Sequence, residues 1–156
     1  RTRKELELYK KDMTAKGFNV ETTEVTSNIE EQCNLIITAT PSKTALLQGD
    51  NLVPGSHITA IGSDTPEKQE LHSSILKKAD VIVADSIPQC MLRGEIYQAI
   101  KAGSIKKDKV VELGNVIAGS AKGRTSEKQL SVADLTGVAV QDIKIASAVY
   151  KEVKNM

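Results

Sequence analysis

Short apolar runs that alternate with helical segments constrain the fold of this chain most strongly. The runs are rich in β-branched residues, and each is too short to form a typical helix. In chain order they are "NLIITAT", "HITAIG", "DVIVAD", "KVVEL" and "LSVAD". Short connections with helical patterns join most of them, which is the βαβ arrangement of a parallel sheet. We therefore predict an α/β fold with a doubly wound parallel sheet.

The segments between the runs are predicted to be mainly helical. Helices are expected over residues 4–16, 66–78 and 89–102, and the first of them ends at Gly17, which suits a left-handed cap. "FNVETTEV" is expected to be extended, and the run "NLIITAT" is expected to be buried on both faces. A last helix starts near Val138. Its apolar stripe follows helical spacing and consists of Ala139, Ile143, Ala146, Tyr150 and Val153.

Composition excludes several functional classes. The 156 residues carry a net charge of +1 and 3% aromatics, so neither the charge nor stacking rings favour nucleic acid or an anionic membrane. No apolar run approaches the roughly 20 residues that span a bilayer. Cys33 and Cys90 form no metal-ligand pattern and are expected to be buried thiols. We expect a cytoplasmic protein without a metal.

In open parallel sheets, ligands bind beyond the carboxyl ends of the strands. The segments that follow those ends are residues 40–42, 62–64, 85–86 and 134–136. Asp64 is the notable ionisable group there. It could cap a helix that has Pro66 near its first position, or it could be a chemical reagent; the two roles can coexist.

Other polar residues near these ends also have two interpretations. Lys68 is either a solvated helix lysine or a partner of Asp64 or a cofactor, and Thr40 is either an ordinary β-branched strand residue or a ligand contact. Gly62 is expected to allow close approach of a ligand. We interpret five further residues as ordinary structural or surface groups: His57, His72, Asp85, Asp134 and Asp142.

At this point the sequence resembles the ornithine cyclodeaminase/mu-crystallin family. The matching stretches are "NLIITATPSK", "LVPGSHITAIGSDTPEKQELH", "ADVIVAD", "VVELGNVIAG" and "VADLTGVAVQDIKIASAVY". The resemblance implies a Rossmann-like fold and an NAD(P)-dependent oxidoreductase or cyclodeaminase that acts on the α carbon–nitrogen bond of a small amino or imino acid. It also implies a homodimer.

The resemblance implies a role for several residues. Asp64 would be the catalytic acid–base, with a partly buried carboxylate of raised pKa. Thr136 would lie near the substrate. The residues that would line the cofactor are Thr40, Ile61, Gly62, Ser63, Lys68 and Leu135.

The start of the chain bears on the choice of cofactor. Where NAD-preferring members carry an acidic residue for the ribose 2′-hydroxyl, this chain has Arg1, which suits a 2′-phosphate. Arg1 and Arg3 as guanidinium donors, with the Thr2 hydroxyl, would favour NADP(H) over NAD(H). The alternative is an exposed basic start of a helix.

Two features of the family do not occur in this sequence. The glycine-rich pyrophosphate loop with its strand, and the first half of the substrate domain, would lie upstream of Arg1. We therefore expect residues 1–137 to form most of a Rossmann-type NAD(P)-binding domain that lacks its first βα unit, so that the doubly wound sheet is incomplete at its N-terminal side. Residues 138–156 would form a helix that could pack on an absent substrate or dimerisation domain. The fragment alone should be inactive.

The family leaves the reaction open. Ornithine cyclodeaminase-like conversion of ornithine to proline and ammonia is the leading expectation. Alanine dehydrogenase or ketimine reductase activity is the alternative within the same family. A non-catalytic protein that holds NADPH and a small ligand, or a Rossmann-like scaffold without a ligand, belongs to a different class.

Overall fold

A computed structural model describes residues 2–154. Its helices are α1 (Arg3–Ala15), α2 (Thr26–Gln32), α3 (Ser73–Lys78), α4 (Ile87–Cys90), α5 (Glu95–Lys101), α6 (Leu113–Ile117) and α7 (Ala139–Lys154). Its strands are β1 (Leu35–Thr38), β2 (His57–Ala60), β3 (Val81–Ala84), β4 (Val110–Glu112) and β5 (Ser131–Asp134). No helix in this part of the chain has both the length and the apolar character needed to cross a membrane.

The five strands form one parallel sheet in the order β1-β2-β5-β3-β4. The last strand in sequence is the central one: β5 pairs with β2 on one side and with β3 on the other. Ile58, Ile82 and Val132, from three neighbouring strands, are fully buried. The predicted α/β fold with a parallel sheet is confirmed, and so are all five predicted strands.

The first strand differs from the prediction. β1 lies at the edge of the sheet and pairs only with β2. Its side chains alternate, so Ile36 is buried whereas Leu35 and Ile37 are 60% and 61% exposed. Burial on both faces was the wrong prediction, because within residues 2–154 no layer covers the outer face of this strand. Residues 18–25 precede it without pairing into the sheet.

Two predicted helices are shorter than expected. The helix predicted at 66–78 covers only α3, which begins after His72, whose ring accepts a hydrogen bond from the Ser74 amide. The residues before it cannot continue the helix, because the carbonyl oxygen of Glu70 accepts hydrogen bonds from Leu46 and Leu47. The helix predicted at 89–102 breaks at Gly94, which has a φ of 93° and lies against the Asp134 carboxylate.

The terminal helices form as predicted. α1 ends just before Gly17, whose φ is 87°. α7 carries Asp142 in its first turn, but none of its residues is buried. Its apolar stripe is therefore exposed; Ile143 and Tyr150 are examples, at 63% and 67%. Cys33 is half-buried and Cys90 is buried, and both are free thiols.

Candidate active site

The carboxyl ends of three adjacent strands bring the predicted cofactor residues together. The Ile61 amide donates to the Thr38 carbonyl oxygen at 2.9 Å, which ties the end of β2 to the end of β1. The Leu135 amide donates to the Ala60 carbonyl oxygen, also at 2.9 Å, and ties the end of β5 to β2. The predicted residues that lie along this edge are Thr40, Ile61, Gly62, Ser63, Asp64, Leu135 and Thr136.

Glu70 joins two of these strand ends. Its side chain is fully buried, and its carboxylate accepts hydrogen bonds from the Thr40 amide at 2.5 Å and the Gly62 amide at 2.9 Å. Hydrogen bonds from backbone amides to a charged acceptor are stronger than neutral ones. The carboxylate therefore fixes the Thr40 and Gly62 backbones relative to each other.

Two more buried acids continue this arrangement toward the sheet centre. Glu95 accepts hydrogen bonds from the Glu70 and Leu71 amides at 2.7 and 3.0 Å. Asp134, at the end of the central strand, accepts from the Ile96 amide at 2.8 Å, in the first turn of α5. Burial raises the pKa of each of these two carboxyls to about 7. The interpretation of Asp134 as a structural acid agrees with these contacts.

Asp64 stands apart from the buried acids because it is exposed. Its Oδ1 accepts a hydrogen bond from Lys68 Nζ at 2.5 Å, and 54% of its side chain is accessible. That hydrogen bond is the main reason why the pKa of Asp64 lies below its usual value. The expected partly buried carboxylate of raised pKa is therefore wrong for this chain. The carboxylate is ionised at neutral pH, in the form that accepts a proton.

The interpretation of Asp64 as a helix cap is also wrong. No helix starts near it, since residues 64–72 form turns and loop before α3 begins at Ser73. Lys68 pairs with Asp64, as one interpretation predicted, although the two lie in a loop rather than on a helix. What remains for Asp64 is an accessible carboxylate that pairs with Lys68.

The hydroxyls of Ser63 and Thr136 are used within the protein. Ser63 is 2% exposed and donates to the Lys68 carbonyl oxygen at 2.7 Å. Thr136 is 4% exposed; its oxygen accepts from Gln89 Nε2 at 2.7 Å and its hydroxyl donates to Asp85 at 3.2 Å. These two residues shape the loops more directly than they can contact a ligand.

Gly62 has a packing role that the sequence did not predict. A Cβ atom built on it would lie 2.2 Å from the Thr40 carbonyl oxygen and 2.4 Å from the Thr40 amide nitrogen. The backbone that approaches this glycine closely is therefore that of Thr40, and the space is already filled. A glycine at position 62 is therefore required for the packing of two strand ends, and the close approach of a ligand to Gly62 stays a prediction.

The residues at the start of the chain form local contacts. Arg1 lies outside the described residues. The Thr2 hydroxyl caps α1 in a reciprocal arrangement with Glu5, and Arg3 Nε lies 3.3 Å from Glu7 on the exposed helix surface. The alternative of an exposed basic helix start describes Arg3 well.

Sequence reasoning missed Glu70, Glu95 and Arg93. Glu70 fell inside the helix predicted at 66–78, where an acid is usually solvated, so its sequence context pointed away from burial. Arg93 precedes the helix-breaking Gly94. Its charge contributes to the low pKa of Asp64, and its buried Nε has no hydrogen-bond partner among residues 2–154. The sequence offered one hint: at residues 62–64 and again at 94–95, a glycine is closely followed by an acidic residue.

Comparisons with known proteins identify the family of this chain. The model of the ornithine cyclodeaminase/mu-crystallin family matches residues 1–156. An uncharacterized cyclodeaminase of Sinorhizobium fredii is 44% identical over 119 residues, which are 76% of this chain and 36% of that protein. Alanine dehydrogenase of Archaeoglobus fulgidus is 40% identical over 121 residues, 77% of this chain and 37% of that protein.

A solved structure gives the same picture. An archaeal alanine dehydrogenase dimer with bound NAD superposes with a TM-score of 0.87 at 35% identity, over 96% of this chain and 47% of that one. The sheet is thus that of a partial Rossmann-like fold. The chain spans less than half the length of each of these relatives.

Proposed function

Because the chain belongs to the ornithine cyclodeaminase/mu-crystallin family, we propose that it is the cofactor-binding part of an NAD(P)-dependent enzyme. The enzyme acts on the α carbon–nitrogen bond of a small amino or imino acid. The observation that carries this proposal is the edge at which Thr40, Gly62 and Leu135 follow three adjacent parallel strands. An accessible carboxylate, Asp64, follows the middle one.

The residues present fit the nicotinamide half of a dinucleotide. Ile61 is 46% exposed and offers an apolar surface at the strand end. The Thr40 oxygen accepts from the Ser42 amide at 3.3 Å, which leaves the hydroxyl proton for an outside acceptor such as a ribose oxygen. Arg1 would read a 2′-phosphate, so we propose NADP(H) as the preferred form.

Asp64 supplies the proton transfer in this proposal. The chemistry that a bound nicotinamide would supply is hydride exchange with the α carbon of the substrate. An ammonium group has no lone pair to assist that exchange, so a base must first remove a proton from it. The ionised Asp64 carboxylate can accept the proton, and Lys68 holds the carboxylate in place by a hydrogen bond to its Oδ1. An asparagine would suffice in a protein that only binds ligands, so an ionised carboxylate here favours an enzyme.

Two reactions remain to be separated. An ornithine cyclodeaminase-like enzyme releases ammonia and returns the hydride to a cyclic imine, so no reduced cofactor accumulates. An alanine dehydrogenase or ketimine reductase makes a net change in cofactor oxidation state. The 40% identity to an alanine dehydrogenase supports the second reaction as the alternative. The dimer named for the archaeal structure supports a homodimer in the natural protein.

We expect the natural protein to release ammonia from a small L-amino acid only when NAD(P)⁺ is supplied. The measurement is ammonia release and absorbance at the reduced-nicotinamide band, recorded together for L-ornithine and L-alanine. Ammonia without reduced cofactor identifies cyclodeamination, and equal amounts of both identify a dehydrogenase. In the reverse direction, consumption of reduced cofactor with a cyclic imine identifies a ketimine reductase.

One result would count against the whole proposal. If the protein binds the dinucleotide but turns over no amino or imino acid in either direction, the ligand-binding alternative is correct. The control is the same assay with D-ornithine and D-alanine, because the proposal concerns L-amino acids.

A further inference from the structure

Glu70 is buried at the site yet cannot itself contact a ligand. The side chain is fully buried, and both carboxylate oxygens are occupied by backbone amides from different segments. The Thr40 amide follows β1 and the Gly62 amide follows β2. These are the two strand ends to which the proposed function assigns the cofactor.

We propose that Glu70 is a positioning residue for the dinucleotide: its carboxylate holds the Thr40 and Gly62 backbones in the arrangement that receives the cofactor. This inference rests on the proposed function and extends it to a residue without ligand contact. Burying a charged carboxylate is costly unless hydrogen bonds compensate. Here the compensating hydrogen bonds come from the Thr40 and Gly62 backbones, and these are the two segments that must be held at a fixed distance to receive the cofactor.

The position of Glu70 is itself fixed from behind. Its backbone amide and that of Leu71 donate to the two oxygens of Glu95, at 2.7 and 3.0 Å. Glu95 begins α5, whose first turn is bonded to Asp134 on the central strand. The strand ends are thus connected to the sheet centre through three successive carboxylates, those of Glu70, Glu95 and Asp134, so the Thr40–Gly62 arrangement exists before any ligand arrives.

The chain contains a matched control near the amino ends of the strands, whereas the proposed site lies at their carboxyl ends. Glu30 is 2% exposed, and its carboxylate accepts from the Gln48 and Gly49 amides at 2.7 and 2.9 Å. Glu30 lies near the end of α2, just before β1 starts, so it stabilises a loop near the amino ends of the strands. Glu30 and Glu70 share burial, charge and two strong backbone contacts, but only Glu70 lies at the proposed site.

The test compares Glu70→Gln with Glu30→Gln in the natural protein. A glutamine keeps the size of the side chain, but its amide nitrogen faces a backbone N–H where the carboxylate had an acceptor. Both variants should lose thermal stability to a similar degree. We expect Glu70→Gln to weaken binding of NADPH and NADH about tenfold or more, because binding must then supply the free energy, comparable to one hydrogen bond to a charged group, that orders the two strand ends. Glu30→Gln should bind both like the unsubstituted protein.

The outcomes separate the two proposals. If the unsubstituted protein binds neither NADH nor NADPH, the proposed function is wrong, and the positioning role of Glu70 is wrong as well. If it binds, and Glu70→Gln binds as well as Glu30→Gln, only the positioning role of Glu70 is overturned.

Amide hydrogen exchange of the unsubstituted protein tests the same inference if Glu70→Gln does not fold. Without a ligand, the Thr40 and Gly62 amides should already exchange slowly, because the Glu70 carboxylate holds them. If both exchange freely until NADPH is added, the cofactor orders the strand ends and Glu70 does not position them.

Discussion

Asp64→Asn in the natural protein is expected to lower kcat by about 10²- to 10⁴-fold, the usual contribution of a general base, while dinucleotide affinity stays nearly unchanged. An asparagine has the size of the aspartate but cannot accept the substrate proton. The side chain is more than half exposed and pairs with Lys68 in a loop, so its replacement should barely affect folding. The measurement is steady-state turnover together with the Kd for NADPH.

Asp50→Asn provides the control for this prediction. Asp50 is also an exposed carboxylate beside a lysine, with its Oδ1 3.7 Å from Lys78 Nζ, but it lies in the loop before β2, at the amino edge. Its replacement should leave kcat as it is. Turnover by Asp64→Asn at the unsubstituted rate would show that Asp64 is not the base, and the chemistry would need another proton acceptor.

Gly62→Ala is expected to destabilise the protein by about 1–3 kcal/mol or more, as overpacking in a filled space does. The added methyl would lie 2.2 Å from the Thr40 carbonyl oxygen and 2.6 Å from Glu70 Oε1. The closest neighbour is backbone, which cannot rotate away as a side chain could. The end of β1 must therefore shift, and dinucleotide binding should weaken together with the free energy of unfolding, measured by urea denaturation.

Gly114→Ala is the matched control. Gly114 lies in α6, and a Cβ built there meets nothing within 4 Å. Since alanine is the better helix former, the free energy of unfolding should stay the same or rise slightly. A Gly62→Ala variant as stable as Gly114→Ala would contradict the close packing of the two strand ends.

The strands of the sheet are predicted well because residue type and spacing alone indicate them. Ile58, Ile82 and Val132 lie in short apolar runs, as expected for strands in the core, and all three are fully buried. The central place of β5 is less accessible to sequence reasoning, because pairing order depends on contacts between residues far apart in the chain.

The errors around residues 66–78 have a clear physical cause. Local helical propensity there is overridden by tertiary hydrogen bonds, in which Glu70 and Leu71 donate to Glu95, 24 or 25 positions later. No local pattern reports such a partner. The same long-range contacts make Glu70 a buried acid, so the error in the helix and the missed residue share one cause.

The prediction for Asp64 failed in its environment rather than in its location. The sequence places the residue correctly after β2, but burial depends on what surrounds the loop. Lys68, four residues later, lowers the pKa of Asp64 instead. The catalytic role implied by the family resemblance stays a prediction.

Calorimetric titration of the natural protein with NADPH and then with NADH tests the central claim most directly. We predict saturable binding of both at one site per chain, with NADPH the tighter ligand if Arg1 reads the 2′-phosphate. Tighter binding of NADH would overturn only the assignment to Arg1. Absence of binding for both would contradict the claim that the carboxyl edge formed by Thr40, Gly62 and Leu135 receives a nicotinamide dinucleotide.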